Sequence, residues 1–287
     1  MNSAHQTASF DFYGVTVEVR GVASDMADLH FLYGAFASEP KRPDLHLELS
    51  CDEWPERGFF TSLLAKDRLL KRMSIRPRDS SHGIPDETHF RDWSNVPSPL
   101  PPLFHSRLHA TTATTSGAAV RMGDGRVLAI VGSNYSGKTS TAMALCSLGA
   151  RLISDNMLII DCPSGHLLRY ETPLGLRRNS LLSRLDLLNA YEHRTTVSPD
   201  TGLVALLAPT ILLGQPNACG GRITTLVHIE KQSSLSSQVG ATPSLSWFTG
   251  NPDFDPSDVL PAETLYVSRP DETTPHDIAN LITANAV

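Results

Sequence analysis

The chain has 287 residues, of which 40% are hydrophobic and 19% are charged. These proportions are ordinary for a globular protein with a core. The length allows one large domain or, as we expect, a larger domain with a smaller appendage. The formal charge of −6 argues against nucleic acid as the main partner, because proteins that bind nucleic acid usually carry a basic excess.

Neither a disulfide framework nor an export signal is indicated. The four cysteines lie far apart and form no C-x-x-C pair. The first residues, MNSAHQTA, lack a basic start followed by an apolar run, and no stretch reaches the ~18 apolar residues of a membrane span. We therefore expect a cytoplasmic protein that does not bind a membrane.

The first hundred residues predict a small α+β domain. Residues 10–20 and 45–49 alternate apolar and polar side chains and predict half-buried strands. Residues 59–78 predict a helix with a basic face, which is either a solvated surface or a docking patch for an acidic substrate or partner. That face contains Lys66, Arg68, Lys71, Arg72, Arg76 and Arg78. The segment NVPSPLPP at 95–102 predicts a boundary, and hence domains 1–100 and 101–287.

The second domain predicts alternating strands and helices. The expected elements are a helix at 103–115, a hairpin at 117–132 with its turn at 123–125, a helix at 139–148 that ends at Gly149, a strand at 151–161, a helix near 181–188, a loop at 214–221 before the strand ITTLVHIE, a mobile serine-rich segment at 233–246, a strand at 264–268 and a last helix with Thr274 as its N-cap.

The segment GSNYSGKT at 132–139 fits the phosphate-binding motif G-x-x-x-x-G-K-[ST] between an apolar strand and a helix. Glycines let the backbone N–H groups turn toward phosphate oxygens, and the helix adds its positive dipole end. Lys138 is expected to reach the β- and γ-phosphates of ATP, and the Thr139 hydroxyl is expected to bind Mg²⁺. The predicted nucleotide-binding residues are Gly132, Ser133, Asn134, Tyr135, Ser136, Gly137, Lys138, Thr139 and Ser140.

Asp155 follows the apolar pair Leu152-Ile153 and comes sixteen residues after Thr139. A strand in that place delivers a carboxylate beside the phosphates, either as a magnesium ligand or as the base for an attacking hydroxyl. The alternative is an ordinary turn residue next to Asn156.

Several other side chains are candidates for the site. Arg222 follows a glycine-rich loop and is predicted to clamp the transferred phosphate, with a surface arginine as the alternative. Arg177 and Arg178 raise the same question. Glu171 is a candidate further metal ligand.

The run GSNYSGKTS, followed by a short helix and GARLISDN, resembles the C-terminal domain of HPr kinase/phosphorylase. The run is still more similar to the HPr-kinase-like proteins encoded with ribosomally made peptides, such as the lasso-peptide kinases. The resemblance covers about residues 117–161, is weaker at Pro173-Leu174 with Arg177 and at GGRITTLVHIE, and is absent from the first hundred residues. It implies an α/β P-loop kinase domain of the HPr-kinase/phosphoenolpyruvate-carboxykinase type beside a small β-rich N-terminal domain.

Two positions depart from the family pattern. The family often has a second acid where this chain has Asn156, and a histidine where this chain has Ser116. His109 lies seven residues before Ser116 and needs an insertion to replace that histidine; otherwise it is a polar residue on a helix.

The resemblance implies an ATP- and magnesium-dependent kinase that phosphorylates a hydroxyl, of serine in a peptide or protein, in peptide tailoring. Two alternatives remain open. A kinase of small molecules needs the same site, and a nucleotide-binding regulator without turnover is the reading from another class. A homo-oligomer is compatible with each of them.

Overall fold

The computed structural model describes residues 5–50, 71–77, 87–90, 106–182, 184–198, 202–208 and 218–285. Two compact units divide the chain: unit 1 comprises residues 1–110 and 175–208, and unit 2 comprises residues 111–174 and 209–287. Unit 1 is therefore built from two separate segments of the chain.

In chain order, the strands and helices are β1 (Gln6–Phe12), β2 (Val15–Gly21), α1 (Ala23–Tyr33), β3 (Leu45–Ser50), β4 (Lys71–Pro77), β5 (Glu87–Phe90), α2 (Ser106–Thr111), β6 (Thr112–Ser116), β7 (Ala118–Arg121), β8 (Val127–Gly132), α3 (Lys138–Ser147), β9 (Arg151–Ser154), β10 (Met157–Asp161), β11 (His166–Leu168), β12 (Leu174–Arg177), α4 (Arg178–Leu182), α5 (Leu185–Ala190), β13 (His193–Ser198), β14 (Gly202–Leu207), β15 (Thr225–Lys231), β16 (Ser236–Ala241), β17 (Glu263–Arg269) and α6 (Pro275–Asn285). No helix among the described residues is long and apolar enough to cross a membrane.

A five-stranded sheet in the order β1-β2-β3-β4-β5 forms the first part of unit 1. The β1–β2 hairpin turns at Tyr13-Gly14, which both have positive φ (54° and 86°), as a two-residue hairpin turn requires. Val15, Val17 and Val19 are fully buried along β2, and β3 also buries its alternate leucines. The predicted strands at 10–20 and 45–49 are confirmed, although the first is a hairpin of two strands.

The core of unit 1 includes residues from both of its segments. Phe10 and Leu29 lie in one buried cluster with Leu108 from α2 and with Val204 and Leu206 from β14. Strand β14 belongs to a second sheet in the order β12-β14-β13. This shared core explains why residues 175–208 group with the N-terminal segment rather than with the rest of the predicted domain 101–287. The proline-rich segment 95–102 lies outside the described residues, so the boundary expected there stays a prediction.

Unit 2 contains a six-stranded mixed sheet in the order β16-β17-β15-β8-β7-β9. Strands β17, β15 and β8 are parallel, while β16, β7 and β9 are each antiparallel to their neighbours. Strand β8 is buried over almost its whole length, as a central strand covered on both faces must be. Helices α3 and α6 pack against each other and against this sheet. The predicted mixed α/β architecture is confirmed at this level.

A three-stranded sheet in the order β11-β10-β6 packs on the other face of the six-stranded sheet. Its Leu158, Ile160 and Leu167 share a buried cluster with Ala129 and Val131 of β8. Because side chains alternate along a strand, these β8 residues lie on one face, and the intervening ones point toward the helices.

The prediction of a helix at 59–78 is wrong over the part of that range that the structure describes. Residues 71–77 form β4, which pairs antiparallel with β3, while 59–70 and 78 lie outside the described residues. The sequence KRMSIRP alternates Met73 and Ile75 with polar neighbours, a period of two that the basic composition obscured. Lys71, Arg72 and Arg76 therefore lie on a strand, and the basic helix face predicted for docking is not formed by these three residues.

Two predictions around β6 and β10 are also wrong. The helix expected at 103–115 ends at Thr111, and Thr112–Ser116 forms β6, because successive β-branched threonines favour a strand paired with β10. The strand expected at 151–161 is two strands in different sheets. Asn156 has φ of 66° at the break, a conformation that asparagine tolerates better than most residues.

The serine-rich segment contains a strand rather than only a loop, because β16 pairs antiparallel with β17 along the sheet edge. The predicted helix near 181–188 is divided into α4 and α5, and residue 183 lies outside the described residues. The hairpin of β7 and β8, helix α3 ending before Gly149 and strand β17 are confirmed. At α6 the Thr274 hydroxyl accepts from the Asp277 N–H, which confirms the predicted N-cap.

Candidate functional site

The phosphate-binding motif lies where β8 ends and α3 begins. Gly132, the last residue of β8, has φ of 142°, and a Cβ there would lie 2.4 Å from the Ile229 carbonyl oxygen on the neighbouring strand. Gly137 has φ of 105° at the N-cap of α3. Both positions therefore need glycine, one for close backbone approach and both for left-handed backbone. The strand–loop–helix context that the motif requires is present.

The loop is closed by its own backbone and by Lys138. The Ser136 N–H donates to the Ser133 carbonyl at 3.2 Å. The Lys138 ammonium donates to the carbonyls of Gly132 at 3.0 Å and Ser133 at 2.8 Å, which keeps its charge beside the loop. Tyr135 has φ of 64° and an exposed side chain. The loop thus combines strained backbone with a cation held over it.

The exposure of the predicted nucleotide-binding residues follows their place in the loop. Ser133, Asn134 and Tyr135 are exposed, and Ser136 is completely buried. Ser140 is half-buried in the first turn of α3. The exposed tip of the loop is thus carried on a buried base.

Thr139 and Asp155, the two predicted metal ligands, are in direct contact. The Thr139 hydroxyl lies 2.9 Å and 3.1 Å from the two carboxylate oxygens of Asp155, which is only 1% exposed. Asp155 comes directly after β9, which runs in the same direction as β8, so both strands end at the same edge of the sheet. A hydroxyl has one proton and two lone pairs. Because that proton goes to Asp155, the oxygen lone pairs of Thr139 remain available to a cation.

Glu171 supplies a second buried carboxylate at the same corner. Its residue is 4% exposed, and its carboxylate forms an ion pair with Arg169. Ser154 and Tyr170 form a parallel bridge, and the Tyr170 N–H donates to the Ile153 carbonyl at 3.1 Å. Asp155 and Glu171 therefore each follow one side of that bridge, at equivalent places on adjacent chain segments.

Arg269 also contacts the motif, and the sequence analysis missed it. Its Nε donates to the Ser136 carbonyl at 2.9 Å, and its guanidinium lies 3.7 Å from where a Cβ on Gly137 would be. It is the last residue of β17, which runs parallel to β15 and β8 and ends at the same edge. The available signal was a basic residue directly after the predicted strand 264–268, since side chains at the carboxyl ends of parallel strands converge.

The structure does not bring Arg222 to the motif. The nearby Thr224 N–H donates to the carbonyl of Val127, the first residue of β8, whereas the motif begins at its last residue. Five residue steps along a strand measure about 16 Å. Arg222 is exposed, and its guanidinium approaches Gly165 in the turn before β11. It therefore lies at the amino edge of the sheet, away from Lys138.

The remaining candidates fall in different places. Arg177, Arg178 and His109 belong to unit 1, with His109 in α2. Ser116, at the position of the family histidine, is exposed at the end of β6 and pairs with Met157. The Gly117 N–H donates to the Asn156 carbonyl at 3.3 Å, so Ser116 lies in the same corner of unit 2 as Asp155.

Two ionisable groups on elements that adjoin the motif, the last turn of α3 and the residues after β17, have shifted pKa values. Burial raises the pKa of the Cys146 thiol in α3 to about 12. A hydrogen bond and the charge of Lys231 lower the pKa of Asp271, with a smaller contribution from Arg269. No group of three or more histidine, cysteine, aspartate or glutamate side chains among the described residues is arranged to hold a metal ion. A cation here would need hydroxyl and phosphate oxygens in addition to carboxylates.

Comparisons with known proteins give little sequence support for a family. No protein-family model matches the chain, and no curated protein matches its sequence. Among solved structures, the chain is similar to the HPr(Ser) kinase/phosphatase from Coxiella burnetii, with 12% sequence identity and a TM-score of 0.34. That superposition covers 60% of this chain and 95% of the other. At this identity and TM-score the likeness assigns neither a family nor an activity, and function rests on the site itself.

Proposed function

We propose that the chain is an ATP- and magnesium-dependent kinase that transfers the γ-phosphoryl group to a hydroxyl. The observation that carries this proposal is the hydrogen bond between Thr139 and the buried Asp155 at the end of a glycine-bounded loop. A loop that served only as a turn needs neither a threonine paired with a buried carboxylate nor a lysine folded over its carbonyls.

The residues present fit a nucleotide with its metal ion. The loop N–H groups and Lys138 would hold the phosphates, and the Thr139 oxygen with the Asp155 carboxylate would hold Mg²⁺. The bound ion would supply charge neutralisation at the β- and γ-phosphate oxygens. The Ser136 hydroxyl is fully buried and makes no hydrogen bond with the described residues. A polar atom at the base of the loop is therefore available to a ligand.

The protein side of the transfer consists of positioning and one proton movement. Lys138 balances the negative charge that moves toward the leaving oxygen. Asp155 orients the acceptor hydroxyl or accepts its proton, as its carboxylate lies at the carboxyl edge of the sheet. The family often has a second acid where this chain has Asn156, and Glu171 supplies a second buried carboxylate in its place.

The acceptor that we propose is a serine hydroxyl in a peptide or protein, and the setting is tailoring of ribosomally made peptides. This part of the proposal depends on the resemblance of GSNYSGKTS and GARLISDN to the HPr-kinase-like proteins. A small alcohol as acceptor would use the same Lys138, Thr139 and Asp155. A nucleic acid substrate is disfavoured by the net charge of −6.

Two measurements test the proposal in order. Isothermal titration with ATP, with and without Mg²⁺, should give magnesium-enhanced binding to the wild type and loss of binding in Lys138→Ala. Transfer of labelled γ-phosphate should then be followed with serine-containing peptides and with small alcohols. Binding without transfer to any acceptor would favour a nucleotide-binding regulator. An affinity for ATP that is unchanged in Lys138→Ala would overturn the site.

A further inference from the structure

Arg269 holds one peptide group of the phosphate-binding loop from outside. Its Nε donates to the carbonyl of Ser136 at 2.9 Å, and Ser136 is completely buried. A Cβ built on Gly137 would lie 3.7 Å from each of three atoms of the flat guanidinium, Cζ, Nε and Nη2. The arginine therefore packs on the peptide that joins these two loop residues.

The orientation of that peptide decides where an N–H group points. In a trans peptide, the carbonyl and the following N–H point in opposite directions, and the described residues contain no cis peptide bond. Since Arg269 binds the Ser136 carbonyl on one side, the Gly137 N–H faces the opposite side of the peptide plane. At the N-cap of a helix this N–H has no acceptor within the helix.

The neighbouring backbone groups do not fix this peptide by themselves. The Ser136 N–H donates to the Ser133 carbonyl inside the loop, and the Gly137 carbonyl accepts from the Thr141 N–H at 2.9 Å as part of α3. One of these hydrogen bonds lies before the Ser136–Gly137 peptide and the other after it, so neither involves that peptide itself. Glycine at 137 leaves the peptide free to rotate, because residues with a side chain would restrict it.

The strand pairing of Arg269 and a nearby ion pair fix its position. It pairs with Lys231 across the parallel strands β17 and β15. Lys231 in turn forms an ion pair with Asp271 at 2.7 Å, two residues beyond Arg269. This pairing ties the end of β17 to the strand next to β8, so the guanidinium reaches the loop from a sheet edge rather than from a free loop.

We propose that Arg269 is a positioning residue that turns the Gly137 N–H toward the phosphate chain of the bound nucleotide. The inference rests on the proposed nucleotide binding and goes beyond it by assigning a role to a residue outside the sequence motif. Arg269 acts through the Ser136 carbonyl, and its own contact with the ligand is not required.

The test compares Arg269→Ala and Arg269→Lys with Arg121→Ala as a matched control. Arg121 also donates to a backbone carbonyl of the same unit, that of Gly220, but at the amino edge of the sheet. ADP without Mg²⁺ is the probe, because it needs the loop amides and not the metal ligands. Binding is measured by isothermal titration, and folding by the dispersion of a ¹⁵N–¹H correlation spectrum.

The Gly137 amide gives a readout that a loss of stability alone would not move. Carbonyl-labelled serine with ¹⁵N-glycine selects Ser-Gly pairs, which occur in the sequence only at 116–117, 136–137 and 164–165. In the wild type and in Arg121→Ala, ADP should move the Gly137 amide proton strongly downfield. In Arg269→Ala the ADP affinity should fall about tenfold, and the shift should be largely lost. Arg269→Lys should restore part of both, because an ammonium can donate one hydrogen bond to the same carbonyl.

The possible results separate this inference from the proposed function. If Arg269→Ala binds ADP as tightly as the wild type with the Gly137 shift intact, the positioning role is overturned while nucleotide binding stands. Equal weakening in Arg121→Ala would also overturn it, because the effect would then be general to the unit. If the wild type itself binds no ADP, the proposed function is lost together with this inference.

Discussion

Asp155→Asn separates the charge of the buried carboxylate from its hydrogen bond. The amide keeps one oxygen that can accept from the Thr139 hydroxyl, which lies 2.9 Å from one carboxylate oxygen. Because the side chain is only 1% exposed, the substitution also removes a charge that is costly to bury. We therefore expect the free energy of unfolding to change by less than about 1 kcal/mol, in either direction.

The same substitution should strongly affect transfer. ADP binding without Mg²⁺ should change less than about threefold, since the loop and Lys138 remain. Phosphoryl transfer should fall by about 10²-fold or more, equivalent to roughly 2.7 kcal/mol in the barrier, because an amide neither accepts a proton nor binds Mg²⁺ well. Single-turnover transfer of labelled phosphate, with thermal unfolding of the same preparation, measures both effects.

Asp161→Asn is the matched control for this experiment. Asp161 also accepts from a serine hydroxyl and from a backbone N–H in unit 2, but it lies at the far end of β10. It should retain wild-type transfer. Full activity in Asp155→Asn would remove this carboxylate from the mechanism and direct attention to Glu171. Equal loss in both variants would mean that transfer reports on the general state of unit 2.

Three further outcomes follow from the structure. Lys138→Ala should abolish tight ATP binding without lowering the melting temperature by more than a few degrees, because the side chain is half-buried, lies outside the buried core and donates to two loop carbonyls; titration calorimetry with a thermal melt checks this. Gly132→Ala should destabilise the protein by about 3 kcal/mol, because Gly132 has a φ of 142° and a Cβ there would overlap a carbonyl of the neighbouring strand. Gly123 has open space around it, so Gly123→Ala should change the free energy of unfolding in urea by less than about 1 kcal/mol. Similar values for the two variants would contradict the close backbone approach at Gly132. Cys146 should resist iodoacetamide at pH 8, because burial raises its pKa to about 12 and only about 10⁻⁴ of it is thiolate, while the exposed Cys219 should be modified before Cys146, as peptide mass spectrometry would measure.

Local patterns were sufficient for elements whose chemistry is contained in a few neighbouring residues. The glycine turn of the β7–β8 hairpin, the Thr274 cap of α6 and the strand–loop–helix at the motif each depend on backbone needs that a short sequence displays. Asp155 was recognisable because it follows an apolar strand directly after α3.

Partners distant in sequence were not readable in the same way. Strand β4 exists because β3 offers it an edge, and β16 exists because β17 does, while both segments have compositions that favour other structures. Arg269 reaches Ser136 across 133 positions of sequence, and only the parallel order of β8, β15 and β17 brings them together. Arg222 comes just before β15, whereas Arg269 ends the parallel neighbour β17, so strand direction places the two arginines at opposite edges of the sheet.

The interrupted course of unit 1 has a consequence for how the protein is made. Val204 and Leu206 complete the buried cluster that Phe10, Leu29 and Leu108 begin, and nearly a hundred residues separate Leu108 from Val204. During synthesis the N-terminal sheet therefore emerges with part of its apolar surface uncovered until β14 has left the ribosome. By then β8, the motif and α3 have already been extruded. The sheet around the motif is also incomplete at that point, because β15 and β17 follow β14 in the chain, so the last strand of unit 1 is made before the strands that complete the sheet on one side of β8.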